Sequence, residues 1–263
     1  MNFEIILEQT IITAKKAGKF IKQEQKNFIY NQVEIKGLND LVSYVDKTSE
    51  KMIVEELNKI MPEAGFLVEE NSISESKNYN WIVDPLDGTT NYVHGIPCYS
   101  VSIGLECKGE IILGVVYEIN RDECFYASKG RGSFLNGEKI QVSDRKNLSE
   151  SLIATGFPIN NFSRFKNYLE ALEYFIKNTH GVRRIGSAAT DLCYLACGRV
   201  DAFFEYNLNA WDIAAGAIIV KEAGGSIYDF SGGENWLFGK EISCSNRLLK
   251  EEFNLVIKNY FKI

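Results

Sequence analysis

Residues 81–97 read WIVDPLDGTTNYVHGIP. The opening Trp81-Ile82-Val83 is apolar and β-favouring, so it reads as a strand running through a core. Pro85 has no N–H to give to a sheet ladder and Gly88 permits a tight turn, so Asp84 and Asp87 are expected to emerge together where the strand ends. Two unpaired carboxylates there would raise each other's pKa, whereas a divalent cation keeps both ionised. The Leu86 carbonyl between them is a further hard oxygen donor of the kind magnesium prefers. A bare Asp-x-x-Asp more often caps a turn or a helix, here one starting near Thr89, so the pair has to be weighed with its neighbours.

Those neighbours are acidic as well. The run FLVEEN closes an apolar segment with Glu69 and Glu70, and NAWDIAAGAIIVKEAGG puts Asp212 in the first turn of an alanine-rich apolar helix. Acidic clusters at the ends of several elements are the arrangement that builds a multi-metal oxygen site.

Working outward, Phe3 to about Gln25 carries apolar residues at helical intervals, and Lys47 to Ile60 reads as a second helix with Asp46 as its N-cap and Pro62 as its stop. The segments GFLVEE, WIVD, YSVSIGLEC, EIILGVVYEI and ECFYAS read as strands, with Val101, Ile103, Leu105 and Cys107 alternating faces. CKGE reads as a hairpin connection, and Asn136-Gly137 is a strong turn signal. Beyond Ser149 the texture alternates: strands at SLIATGF, VDAFFE and GSIYDF, helices over about 162–177, 187–197 and 211–223. This predicts an antiparallel sheet with helices over residues 1–146 and an α/β unit over 147–263, sharing an interface because no long linker separates them.

Composition excludes several classes. A chain of 263 residues with 45% hydrophobic content buries a large core. Its net charge of −6 does not favour nucleic acid or an anionic membrane as partner. No stretch approaches the roughly 20 apolar residues of a membrane span, and the first residues form no signal core, so the expected address is the cytoplasm. Six dispersed cysteines without a CxxC speak against a disulfide framework or a zinc site. There is no GxSxG, and neither His94 nor His180 has an evident catalytic partner. GSFLNGE ends in Glu where a phosphate-binding P-loop needs Lys-Ser/Thr.

The stretch at 81–97 closely resembles the first signature of the inositol monophosphatase family of metal-dependent phosphatases, and WDIAAGAIIVKEAGG resembles its second. DLVSYVDKTSE, GRGSFLNGEKIQVS, TGFP and RRIGSAATDLCYLACGRVDAFFE also look like family segments, in the family's order. The resemblance implies a layered αβαβα sandwich, generally homodimeric. It makes Glu69, Asp84 and the Leu86 carbonyl ligands of one magnesium ion, with Asp84, Asp87 and Asp212 holding a second and Glu69 near a third, weaker one. Manganese is expected to substitute and lithium to inhibit. Asp46 and Thr89 match the pair that orients the attacking water, and Glu70 supports the metal shell. Gly88, Thr89 and Thr90, with Asp87 and Asp212, would meet the substrate, the backbone N–H groups of Gly88 and Thr89 facing the phosphate.

Gly186, Ser187 and Ala188 resemble the family's hydroxyl-facing segment, and Glu205 matches the acid that contacts the polyol. Arg183 and Arg184 are candidates for gripping a second phosphate, against surface charge or dimer contact as the more common fate of arginine. Val68 and Asn207 depart from the family pattern, and Asn207 stands where many relatives have glycine; Asn tolerates the left-handed backbone better than most residues. The implied activity is magnesium-dependent hydrolysis of an inositol phosphate monoester by direct attack of water. Alternatives are fructose 1,6-bisphosphatase activity, alone or as a second activity, 3′-phosphoadenosine 5′-phosphate nucleotidase activity, and a regulatory binding protein that retains the fold.

Overall fold

A computed structural model describes residues 2–26, 33–37, 40–70, 76, 78–158 and 160–261. Helix α1 (Phe3–Gln25) is followed by an antiparallel pair, β1 (Val33–Gly37) with β2 (Asp40–Ser43), and by α2 (Tyr44–Ile60). Seven strands then form one sheet in chain order: β3 (Gly65–Val68), β4 (Tyr79–Asp87), β5 (Ser100–Cys107), β6 (Glu110–Glu118), β7 (Glu123–Ser128), β8 (Ser133–Leu135) and β9 (Glu138–Ile140). Only β3 and β4 run parallel; the other neighbours are antiparallel. The short helix α3 (Thr89–Val93) lies between β4 and β5.

The remaining elements are β10 (Leu152–Thr155), α4 (Phe165–Asn178), β11 (Gly181–Arg183), α5 (Ala188–Ala196), β12 (Ala202–Tyr206), α6 (Ala210–Glu222), β13 (Ser226–Tyr228), β14 (Glu241–Ser245) and α7 (Lys250–Phe261). Their strands make a five-stranded sheet ordered β11-β10-β12-β14-β13. Its β10 is parallel to both neighbours, and β14 is antiparallel to both of its own.

Three apolar clusters fix the layering. One joins α1 and α2 to the outer face of the seven-stranded sheet through Ile21, Ile53, Trp81 and Val101. Another fills the space between the sheets with α5 and α6, touching Ile82 and Val116 on one side and Phe203 and Cys244 on the other. The last packs α4 and α7 on the far face of the second sheet through Tyr168, Phe175 and Phe253. The order is therefore αβαβα, as the resemblance implies. Helix α6 is apolar on all sides because both of its faces are covered.

The sheet makes room for α6 with small residues. On β5, Val101, Ile103 and Leu105 point to α1 and α2, and each such buried aliphatic side chain contributes roughly 1.5–3 kcal/mol. Ser102 and Gly104 face α6: Ser102 Oγ donates to the Trp211 carbonyl at 3.2 Å, and a Cβ at Gly104 would stand 3.1 Å from the Ala214 Cβ. At Gly114 on β6 a Cβ would come within 2.6 Å of the Ala215 carbonyl oxygen. Alternation therefore exists on β5 but does not separate buried from exposed, since both faces are covered.

Three expectations need correction. Asp46 is not the N-cap of α2: the helix begins at Tyr44, Ser43 is the cap, and Asp46 sits in the first turn, bonding back to Ser43. The strand does not stop at Asp84: pairing passes from Asp84 opposite Ser102 to Asp87 opposite Ser100, and Pro85 and Leu86 bulge out together. Proline is tolerated there because a bulge asks for no ladder N–H. The stretch after Asp229 also carries β14 and α7, which periodicity alone did not mark.

Candidate active site

The β4 bulge, α3 and the N-terminal ends of α5 and α6 meet around a cavity of about 220 Å³. Asp84 is 2% exposed and accepts the Leu86 N–H at 2.9 Å through Oδ1, a local turn that fixes the bulge. Asp87 ties the two sheets together. Its Oδ2 accepts Ser187 Oγ at 2.5 Å and the Ala189 N–H at 2.8 Å, so a strand of one sheet satisfies a free N–H of a helix belonging to the other half. Gly88 follows at φ 94°, and a Cβ there would also press on the Gly186 and Cys98 carbonyls at 3.1 and 3.2 Å. Both reasons select glycine. With only five residues, α3 contributes little dipole.

Behind this turn, Asp46 Oδ2 accepts Ser43 N–H at 2.8 Å and Ser43 Oγ at 2.6 Å. Its Oδ1 stands 2.9 Å from Thr89 Oγ1, which is equally close to the Leu86 carbonyl. One hydroxyl proton serves one of these acceptors at a time. Burial pushes the Asp46 carboxyl up, and the Ser43 and Thr89 donors pull against it.

The carboxylates act on one another. Burial raises the Asp84 carboxyl well above its ordinary value, and the charges of Glu69, Asp87 and Asp212 raise it further. Burial pushes Asp87 up to about 6, against the Ser187, Ala189 and Ala188 donors and the Arg184 charge. Asp212 accepts the Asn209 N–H at 2.6 Å, which closes the first turn of α6. Glu205 on β12 is 9% exposed; burial, then Asp212 and Asp87, raise it, and Arg184 lowers it. Gly156 makes its space, because a Cβ at that position would stand 2.1 Å from the Glu205 carboxylate.

Of the residues picked out in the sequence, Glu69, Asp84, Leu86, Asp87, Gly88, Thr89, Thr90, Arg184, Gly186, Ser187, Ala188, Glu205 and Asp212 all line this cavity. Asp46 stands behind Thr89. Glu70 is half-buried, its N–H donating to Glu50 Oε2 at 2.7 Å, and it does not line the cavity. Arg183 is exposed on β11 and donates to the Val182 carbonyl. His94 and His180 are both exposed and line nothing there. Asn207 has φ 67°, the left-handed backbone its position asks for.

Sequence reasoning missed Phe157, Asn160, Asp191, Leu208, Asn209 and Lys240 as wall residues. Asp191 lies in a segment read as a helix and as family-like, without a role of its own. Lys240 is brought in by its main chain, whose carbonyl accepts the Asn207 N–H at 2.7 Å.

The residues fit a hard divalent cation. The side-chain donors are carboxylates, with a main-chain carbonyl among them. Asp84 Oδ2 has no hydrogen-bond partner among the described residues, although Asp84 is buried beside three like charges. Among the described residues, no three His, Cys, Asp or Glu side chains close into a ready-made cage. Carboxylates without a cation between them gain by standing apart.

Fold and cavity together define a five-layered αβαβα protein with an oxygen-rich acidic site where its two sheets meet. The chain belongs to the inositol monophosphatase family, whose pattern matches residues 4–260. It is 39% identical over 255 residues to an inositol-1-monophosphatase of Mesorhizobium japonicum, covering 96% of each chain. It is 43% identical over 235 residues to a putative Nus factor SuhB of Neisseria meningitidis, covering 89% of this chain and 90% of that one. The extragenic suppressor protein SuhB of Bartonella henselae superposes with a TM-score of 0.92 at 40% identity, over 97% of this chain and 98% of that one. The IMPase of Thermotoga maritima gives 0.88 at 39% identity, over 97% of both. Among the described residues no helix is long and apolar enough to cross a membrane.

Proposed function

We propose that this protein is a magnesium-dependent phosphomonoesterase acting on an inositol monophosphate or a closely related polyol phosphate, by direct attack of water on phosphorus. The observation that carries the reading is the convergence of Glu69, Asp84, Asp87 and Asp212, with the Leu86 carbonyl, on the cavity that also holds Glu205. Glu69, Asp84, Leu86, Asp87 and Asp212 would hold two to three divalent ions, which when bound acidify a nearby water and offset charge building on the phosphoryl oxygens.

The chain's own residues do the rest. Asp46, anchored by Ser43, accepts the Thr89 hydroxyl proton, so that the Thr89 oxygen can accept a hydrogen bond from the attacking water and relay its proton to the Asp46 carboxylate. The N–H groups of Gly88 and Thr89 receive phosphate oxygens. Glu205, with room made by Gly156, accepts hydrogen bonds from the hydroxyls of the leaving group. Phosphate release from inositol 1-phosphate, fructose 1,6-bisphosphate and 3′-phosphoadenosine 5′-phosphate, with and without Mg²⁺, tests the reading. Activity is expected to be highest on inositol 1-phosphate, and Asp84→Asn to lower it by a factor of about 10²–10³, several kcal/mol of lost charge stabilisation.

A second reading draws on the relatives named Nus factor SuhB, which include proteins of Pasteurella multocida and Pseudomonas aeruginosa at 39% and 40% identity. On that reading the protein acts chiefly as a binding partner in transcription and retains the fold. Purified protein that releases phosphate from none of the three esters in Mg²⁺ would favour it.

A further inference from the structure

We infer that Asp191 is a specificity residue of the proposed reaction: a second carboxylate, beside Glu205, that accepts a hydrogen bond from a substrate hydroxyl. The inference rests on the phosphatase reading above. Asp191 stands in the first turn of α5, is 1% exposed, and lines the same cavity as Glu205. Its Oδ1 is buried and has no hydrogen-bond partner among the described residues. A buried carboxylate oxygen without a donor is costly, so the position calls for a partner.

The protein supplies none. The helix does not use Asp191 as its cap, because Ser187 Oγ accepts the Thr190 N–H and Asp87 accepts the Ala189 N–H. Arg184 shares the cavity but forms no ion pair with Asp191 among the described residues. Its guanidinium lies 5.5 Å over the Phe157 ring instead. The Glu205 carboxylate, close enough to raise Asp191 beyond what burial does, is itself an acceptor.

What fits between two buried acceptors is a group that brings donors. The phosphate end of an ester brings only acceptors and negative charge, so Asp191 marks the alcohol end of the cavity. A polyol offers neutral O–H donors on neighbouring carbons, and two carboxylates side by side read such a pair where one would read a single hydroxyl. Asp191 therefore selects for a polyhydroxylated leaving group over a simple alkyl or aryl one. Because it is held without a partner in the free protein, it serves this purpose at the expense of stability.

Kinetics of wild type and Asp191→Asn, in saturating Mg²⁺, test this with inositol 1-phosphate, a set of its analogues each lacking one hydroxyl, and p-nitrophenyl phosphate. The variant is expected to lower the kcat/KM ratio of inositol 1-phosphate to p-nitrophenyl phosphate by about tenfold or more, chiefly through KM. One deoxy analogue, poor for the wild type, should suffer no further loss in the variant. The melting temperature of the variant should equal or exceed that of the wild type, since a buried carboxyl that lacks a hydrogen-bond partner is replaced by a neutral amide. An equal loss on both esters, additive losses across the whole deoxy set, or a variant that melts lower or fails to fold would each overturn the inference by making Asp191 a structural residue. Hydrolysis with an unchanged preference overturns this inference alone. A wild type with no Mg²⁺-dependent hydrolysis of any ester overturns the phosphatase reading and this inference with it.

Discussion

Asp87→Asn should make the metal-free protein more stable near neutral pH, and the gain should depend on pH in a defined way. Burial raises the Asp87 carboxyl from 3.8 to about 6. A carboxyl with a higher pKa in the folded than in the unfolded state binds its proton more tightly when folded. Its contribution is whole below about pH 4 and is lost as pH rises through about 6. The rise is worth about 3 kcal/mol, of which roughly half is gone by pH 5 and the rest by about pH 7. Asparagine has nearly the same shape, carries no charge and keeps an acceptor oxygen for Ser187 and Ala189. Urea unfolding in EDTA, followed through the fully buried Trp81, reads the difference. Between pH 5 and pH 7.5 the variant should gain about 1.5 kcal/mol on the wild type. Adding Mg²⁺ at pH 7.5 should reverse the order, because only the wild type keeps the complete acidic set. A stability difference between the two proteins in EDTA that stays constant over this pH range would refute the electrostatic account of the site.

Two further substitutions probe how closely the site is packed. Gly114→Ala drives a methyl group to 2.6 Å from the Ala215 carbonyl oxygen, so it should destabilise by about 1–3 kcal/mol in urea or thermal unfolding as α6 is pushed off the sheet. Gly156→Ala must displace the Glu205 carboxylate; it should raise KM for inositol 1-phosphate more than it lowers kcat, as initial rates over a range of substrate concentrations will show.

The most legible part of the sequence was the stretch 81–97. The apolar run, the prolyl interruption and the glycine each impose a local constraint, and those constraints decide where two aspartates can go. The turn at Asn136-Gly137 was equally plain, and both residues have positive φ, 49° and 94°, between two short strands. Asp46 was misplaced because Ser43 and Asp46 both suit a helix start, and only the reciprocal bonds between them say which is the cap. β14 and α7 were overlooked because EISCS is too short and mixed to announce a strand, and α7 buries only Phe253, Val256, Ile257 and Phe261. Asp191 and Lys240 were invisible for a different reason. Each reaches the cavity through tertiary placement, one on a helix to which no site role was given beyond its first residues and the other through its backbone, and a linear pattern records neither.

Helix α6 belongs to the C-terminal portion of the chain, yet it lies against β5 and β6 and brings Asp212 to Glu69, just past β3, and to Asp84 and Asp87 on β4. Neither sheet alone carries all the acids proposed to hold the ions. On the proposed function, cation affinity would therefore be a gauge of whether the two slabs have seated against each other, and a perturbation that merely pries them apart should silence ion uptake while circular dichroism still looks native.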